Sequence, residues 1–152
     1  MAIAPKDNFG KARVYVLGIT DGGSATVSFS TYTSDWSNIS ATALSPERAL
    51  IVYKDTAGTR LAIIANVDDS NYVTFSDSMV YHTAELKKHE VLALSSASAI
   101  ILHTNTGGTG LIYTGLNIDD DILTQEGIGT YIQPATSRLR NVGIAKTSGT
   151  EG

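Results

Sequence analysis

The chain has 152 residues, enough for one domain with a substantial core and too few for two comfortable ones. It contains no cysteine, which excludes disulfides, zinc–thiolate sites and thiol nucleophiles. A formal net charge of −4 offers no basic surface for nucleic acid, and no apolar window is long enough for a membrane span or a secretion signal. Because Gly, Ser, Thr and Val are abundant, the composition favours an all-β protein.

The chain begins with a segment that resembles the second half of a structural unit. Residues 1–10 are expected to form an N-terminal arm, and residues 11–40 a partial β-repeat. The stretches 10–16 and 26–30 resemble 58–63 and 72–76, which lie in the latter part of the next unit.

A polar insertion, Thr31–Ser40, closes this partial unit and contains the only tryptophan. Aromatic rings stack on sugars and on receptor surfaces, so we consider Tyr32, Asp35 and Trp36 as candidate ligand-binding residues. The alternative is that Trp36 packs in the core between units.

Residues 41–90 and 91–140 are related by a repeat of fifty residues. Aligning them without a gap gives twelve identical positions: Ala43, Leu44, Ser45, Ala49, Ile51, Thr56, Gly58, Thr59, Leu61, Asp69, Thr74 and Tyr81. A period of this length is typical of stacked or radially arranged supersecondary units.

Each repeat alternates short apolar segments with turn residues. In the first repeat the expected strands are Thr42–Leu44, Ala49–Tyr53, Arg60–Ala65 and Tyr72–Phe75. Four strands in about fifty residues are the size of one β-propeller blade, so the predicted fold is a set of tandem four-stranded, blade-like repeats. A jelly-roll or β-sandwich is the alternative. The polar segment His82–His89 is expected to form one helical turn at most.

Residues 141–152 are predicted to form a C-terminal strand or tail. The chain then holds two whole units and two partial ones, whereas closed propellers typically need four to eight blades. Open apolar faces and strand edges would remain uncovered, so we expect a homo-oligomer or association with other proteins.

Histidine and acidic residues suggest few chemical sites. His82, His89 and His103 lack a metal-ligand spacing and are expected at the solvent-exposed rim, so no metal and no cofactor are predicted. The acidic turns Asp68–Asp69 and Asp119–Asp121 lack the alternating pattern of a calcium loop and are interpreted as hydrogen-bonded turns.

Catalysis is not predicted. Two facing carboxylates would be needed for a glycosidase, and the available acids are Asp55, Glu85, Glu90 and Glu126, at positions that do not recur as acids in both repeats. No nucleophile elbow or phosphate loop is present in the sequence. The protein is therefore expected not to be an enzyme, and glycan degradation remains the distant alternative.

The repeat motifs resemble those of tailed-phage and prophage virion proteins. They are Ala43-Leu44-Ser45, Val52-Tyr53-Lys54-Asp55, Gly58-Thr59-Arg60-Leu61 and Val73-Thr74-Phe75, and the end of the chain resembles a small C-terminal module with Gly143-Ile144-Ala145 followed by Ser148-Gly149-Thr150.

The resemblance implies a structural or adhesive protein on the surface of a phage particle, such as a head decoration, fibre or tail-associated protein. Its expected partners are further copies of itself and other virion proteins; nucleic acid and membrane insertion are not expected. The alternative function is that of a carbohydrate-binding, lectin-like adhesin, whose partner would be a host-surface glycan.

Overall fold

The computed structural model describes residues 2–4, 13–19, 25–31, 36–70, 72–82, 86–105 and 110–132, and within these it describes the side chains of 36–70, 72–82, 88–104 and 110–129. This part of the chain consists of strands and turns and contains no helix, so the all-β prediction is confirmed. No helix that could cross a bilayer is found in it.

In the described residues, twelve strands form three antiparallel sheets. The N-terminal sheet has the order β1-β2-β3, the middle sheet β4-β5-β6-β7 with β8 also pairing β6, and the C-terminal sheet β12-β11-β10-β9. The strands are β1 (Ala2–Ala4), β2 (Arg13–Ile19), β3 (Ala25–Thr31), β4 (Ser37–Ala43), β5 (Arg48–Lys54), β6 (Arg60–Val67), β7 (Val73–Phe75), β8 (Met79–His82), β9 (Leu86–Ser95), β10 (Ser98–Asn105), β11 (Gly110–Asp119) and β12 (Ile122–Ile132).

Two parts of the chain differ from the sequence prediction. The segment Ser37–Ser40, expected in a loop, belongs to strand β4, where Asn38 is exposed and the other three residues are half-buried. Of the candidate helical turn His82–His89, His82 belongs to β8 and the residues from Leu86 onward belong to β9, while residues 83–85 lie outside the described residues.

The middle and C-terminal sheets have corresponding strands, but the sequence repeat does not stay in one register. Leu50 pairs with Ile64 in the middle sheet, and its repeat equivalent Ile100 pairs with Gly115, fifty-one residues after Ile64. The next turn compensates, because Val67 pairs with Val73 while Ile118 pairs with Leu123.

The gapless alignment is therefore wrong across β11. Compared with the first repeat, one more residue lies between the paired ends of β10 and β11, and one fewer lies between the paired ends of β11 and β12. A slip of one residue moves a strand's side chains to the opposite face, so only the shifted register keeps equivalent positions on equivalent faces.

Turns between strands are closed by local hydrogen bonds. Asp55 Oδ1 accepts a hydrogen bond from the Thr59 amide at 2.8 Å, and Gly58, at a φ of 90°, takes the left-handed conformation that a residue with a Cβ disfavours. Asp68 Oδ1 accepts hydrogen bonds from the amides of Ser70 (2.9 Å) and Tyr72 (2.8 Å), which confirms the turn interpretation at this acid.

The middle sheet is buried on both sides. Its front face, which we define by Leu50, Val52, Ala62 and Ile64, shares one apolar cluster with Ala99, Ile101 and Leu116 of the C-terminal sheet. Its back face, defined by Ile51, Tyr53, Ile63 and Ala65, forms a second cluster with Trp36. Strand β5 accordingly has five consecutive buried residues, in contrast to the alternation of a half-exposed strand.

Candidate functional site

Trp36, considered above as a ligand-binding residue in a polar loop, is buried in the structure. Trp36 has no exposed surface; its ring stacks on Tyr53 with centroids 4.1 Å apart and meets the edge of Phe75 at 6.1 Å. A fully buried ring offers no face to a sugar, so Trp36 occupies the core position that the sequence left open as an alternative. Tyr32 and Asp35 lie outside the described residues.

The junction between the middle and C-terminal sheets contains both apolar and polar side-chain contacts. Its apolar centre lies between two polar groups of residues, one at each end of strand β5. At the first end, Arg48 Nε donates to Asn66 Oδ1 at 3.1 Å, and the Arg48 guanidinium also donates to the carbonyl of Asp120. Asn66 Nδ2 donates to Asp121 Oδ1 at 2.8 Å.

This first group joins the two sheets through the acidic turn of the second repeat. Asp120 lies in that turn with a φ of 48°, a conformation that Asp tolerates better than most residues. The Arg48–Asp121 pair is 3.5 Å apart and partly exposed, so the ion pair itself contributes little, and the hydrogen bonds that Arg48 and Asn66 donate define the contact.

At the other end of β5, histidines are buried rather than exposed. His89 is 5% exposed and His103 is 1% exposed, which makes the predicted rim location wrong for both. His82 is half-buried, with its ring centroid 5.0 Å from that of His103. Arg60 and Tyr81, also buried, complete this group, which we call the histidine cluster.

Hydrogen bonds define the state of His89. Its Nε2 contacts the carbonyl oxygen of Asn38, which can only accept, so Nε2 carries the proton. Its Nδ1 then accepts a hydrogen bond from the Tyr81 hydroxyl at 2.7 Å. Burial lowers the pKa of His89, and the charge of Arg60 acts in the same direction against the Asn38 hydrogen bond. Burial also raises the pKa of Tyr81.

His103 is held still more firmly in the neutral form. Burial, with smaller effects from His82, His89 and Arg60, lowers the pKa of His103 to about 4. Its Nε2 lies 3.1 Å from Thr114 Oγ1, and its buried Nδ1 has no hydrogen-bond partner among the described residues. His89 and His103 are thus neutral imidazoles beside a guanidinium.

The histidine cluster is not arranged as a metal site. Within the described part of the chain, no group of three or more His, Cys, Asp or Glu side chains is placed to hold a metal ion. The sequence could have indicated burial at His103, because its repeat equivalent is Tyr53, an apolar position of β5.

Strand β4 also contacts the edge of β9 through side-chain hydroxyls. The amide of Val91 donates to Ser40 Oγ at 3.2 Å, and the amide of Ala93 donates to Thr42 Oγ1 at 3.2 Å. Because β9 is the end strand of its sheet, these hydroxyls satisfy amides that would otherwise lack a partner strand. We call this contact the hydroxyl ladder.

Of the acidic residues considered for catalysis, two accept other hydrogen bonds and one lies on a separate strand. Asp55 closes a turn in the middle sheet, and Glu90 accepts a hydrogen bond from Ser40 Oγ at 3.0 Å. Glu126 is exposed on β12, the end strand opposite β9. Glu85 lies outside the described residues.

One face of the C-terminal sheet is apolar and exposed. We call it the front face of that sheet, because its residues correspond to those of the middle sheet's front face in the shifted register. Its members with large exposed side chains are Leu92 (53%), Leu94 (65%), Leu111 (40%) and Tyr113 (44%). Monomeric soluble proteins rarely expose a contiguous apolar sheet face, which makes it the strongest candidate interaction site.

The neighbouring strands give this face continuity. Ile100 and Leu102 of β10 pair directly with Leu92 and Glu90 of β9 on one side, and with Gly115 and Tyr113 of β11 on the other. Directly paired residues share a face, so leucine, isoleucine and tyrosine side chains span three adjacent strands.

Comparison with known proteins gives no independent guide to function. No protein-family model, no curated protein and no solved structure matches the chain. The class that the described fold defines is an all-β protein of antiparallel sheets, two of which pack face to face.

Proposed function

We propose that this protein is a non-enzymatic structural component of a phage-like virion, exposed on the particle surface, and that it assembles as a homo-oligomer. The observation that carries the proposal is the exposed front face of the C-terminal sheet, a surface built like one that the chain buries internally. A protein that functions by assembly needs such a face, whereas an isolated monomer is destabilised in solution by exposing it.

We also propose that the sheets are blades of a propeller-type arrangement that one chain leaves incomplete. Support comes from the equivalent strand order of the middle and C-terminal sheets and from the packing of one sheet's front face against the next sheet's back face. The similarity of the repeat motifs to those of tailed-phage virion proteins supports the location in a particle.

The location is tested by mass spectrometry of particles purified from a strain that carries the gene. We expect peptides of this chain to co-purify with particles through a density gradient and to resist removal by high salt, because apolar contacts are not screened by ions. Recovery of the chain only in the soluble fraction, separate from particles, would contradict a virion location.

A second experiment tests whether the protein is an enzyme. We expect no release of soluble oligosaccharide when the purified protein is incubated with cell-surface polysaccharide of the same host. Release that disappears in a Glu126→Gln variant would instead establish a glycan-degrading enzyme.

A further inference from the structure

The middle and C-terminal sheets pack on each other in a way that a further sheet could continue. The front face of the middle sheet lies against the back face of the C-terminal sheet, with Leu50 and Val52 in the same apolar cluster as Ile101. All three side chains are fully buried. The contact is therefore front to back, and the two sheets are not related by a two-fold axis.

The front face of the C-terminal sheet repeats the front face of the middle sheet without its cover. Leu44 and Leu94 are identical residues fifty positions apart, yet Leu44 is 9% exposed and Leu94 is 65% exposed. Thr42, which belongs to the hydroxyl ladder, is replaced at its equivalent position by Leu92. The buried Arg60 corresponds in the shifted register to Leu111. At two of these three positions the uncovered face has an apolar side chain in place of a polar one.

Tyr113 places its ring on this face, against a glycine of the neighbouring strand. It pairs directly with Gly129 of β12, and a Cβ at Gly129 would overlap the Tyr113 ring. The ring therefore lies across the glycine backbone, a known way in which an aromatic side chain covers glycine in a sheet. A tyrosine held in this way loses little entropy on binding, as is typical of interface anchor residues.

The middle and C-terminal sheets of the same chain do not supply the missing cover. A sheet that continues the stacking rule must present a back face, and the centres of the back faces of these two sheets are already buried, as Ile51 and Ile101 show with no exposed surface. A further sheet, outside these two, would satisfy the stacking rule.

We propose that a second copy of this chain covers the front face of the C-terminal sheet, front to back, through its N-terminal sheet β1–β3. In the second copy, as in the first, the back faces of the middle and C-terminal sheets are already occupied. The N-terminal sheet is therefore the one that remains for the contact. This inference rests on the proposed homo-oligomeric function and names the surface and the partner. Head-to-tail contacts of this kind generate rings or open chains, not two-fold dimers.

Thiol labelling tests the surface with a matched control. Since the chain has no cysteine, Leu94→Cys and Tyr72→Cys each introduce one unique thiol, at positions 65% and 64% exposed in the single chain. In the multimer we expect the thiol at position 94 to react with a maleimide far more slowly than the thiol at position 72. Both should react at the same rate in denaturant.

The oligomeric state provides a second readout. Light scattering behind a sizing column should show a multimer for the wild type and for Val80→Lys, which changes an exposed apolar residue outside this face. A Leu92→Lys/Tyr113→Lys variant should lose the multimer while keeping the wild-type circular dichroism. A double variant that remains multimeric overturns the proposed surface but leaves homo-oligomerisation intact.

Cross-linking identifies the partner region. In a multimer mixed from isotopically light and heavy chains, an amine-reactive reagent should join Lys88 of one copy to a peptide within residues 1–35 of the other. An intermolecular link from Lys88 to residues 86–132 indicates a front-to-front contact and overturns the proposed one. A wild type that is monomeric at every accessible concentration overturns both this inference and the homo-oligomeric part of the proposed function.

Discussion

Acidification is expected to destabilise the junction between the middle and C-terminal sheets through His103. Its pKa is about 4 in the folded chain, against an ordinary value of 6.5. Below pH 6.5 the unfolded chain therefore binds a proton that the folded chain does not, and the free energy of unfolding falls with pH until the folded-state pKa is reached. His89, whose pKa is also lowered by burial, acts in the same direction.

The size of the effect follows from these two pKa values. Between about pH 7.5 and about pH 5, His103 alone should remove about 2 kcal/mol from the free energy of unfolding, and about 3 kcal/mol once the pH is below 4. Burial opposes the protonation of His103 most, and His82, His89 and the buried guanidinium of Arg60 add smaller effects in the same direction. Working above pH 5 keeps the measurement away from the ordinary titration range of carboxylates.

Urea denaturation at a series of pH values measures the effect. A His103→Gln variant removes the titrating ring but retains a side chain that can hydrogen-bond, so its stability should depend less on pH by about 2 kcal/mol over the same interval. If wild type and His103→Gln show the same pH dependence, or if neither loses stability between pH 7.5 and pH 5, the reasoning is refuted.

Three further predictions concern single side chains. Trp36→Ala should lower the free energy of unfolding by about 3–5 kcal/mol in urea denaturation, since it empties a fully buried site; a loss below about 1 kcal/mol contradicts its core position. Asp68→Ala should cost about 1 kcal/mol by removing a turn acceptor, while Asp69→Ala, the exposed neighbour, should be nearly neutral in the same assay. Gly129→Ala should displace the Tyr113 ring and weaken self-association about tenfold or more by sedimentation, with the ring signals shifted in NMR spectra; unchanged association argues against Tyr113 as an anchor.

Local sequence patterns predict the strands of the first repeat well. The expected segments Ala49–Tyr53 and Arg60–Ala65 lie within β5 and β6, because apolar and β-branched runs between turn residues need no distant information. Strand β4 was predicted too short, since Ser37–Ser40 is polar and becomes a strand by pairing with β5 and by contacting β9.

The remaining differences arise from contacts between distant residues. Histidine is usually exposed, and the burial of His89 depends on Asn38 and Tyr81, which lie 51 and 8 residues away in the chain. The register shift at β11 was hidden because a gain and a loss in two successive turns cancel in the overall period. In the same way, the burial of Trp36 depends on Tyr53 and Phe75 from two separate strands.

The hydroxyl ladder has a consequence for the order of folding. The amides of Val91 and Ala93 find their acceptors on Ser40 and Thr42, so the edge of β9 is satisfied only after β4 has formed. Stability is then shared between neighbours, as in linear repeat arrays where each unit depends on the adjacent one. We expect amide exchange at Val91 and Ala93 to report the opening of the middle sheet rather than of their own sheet, which would make the two sheets a single cooperative unit.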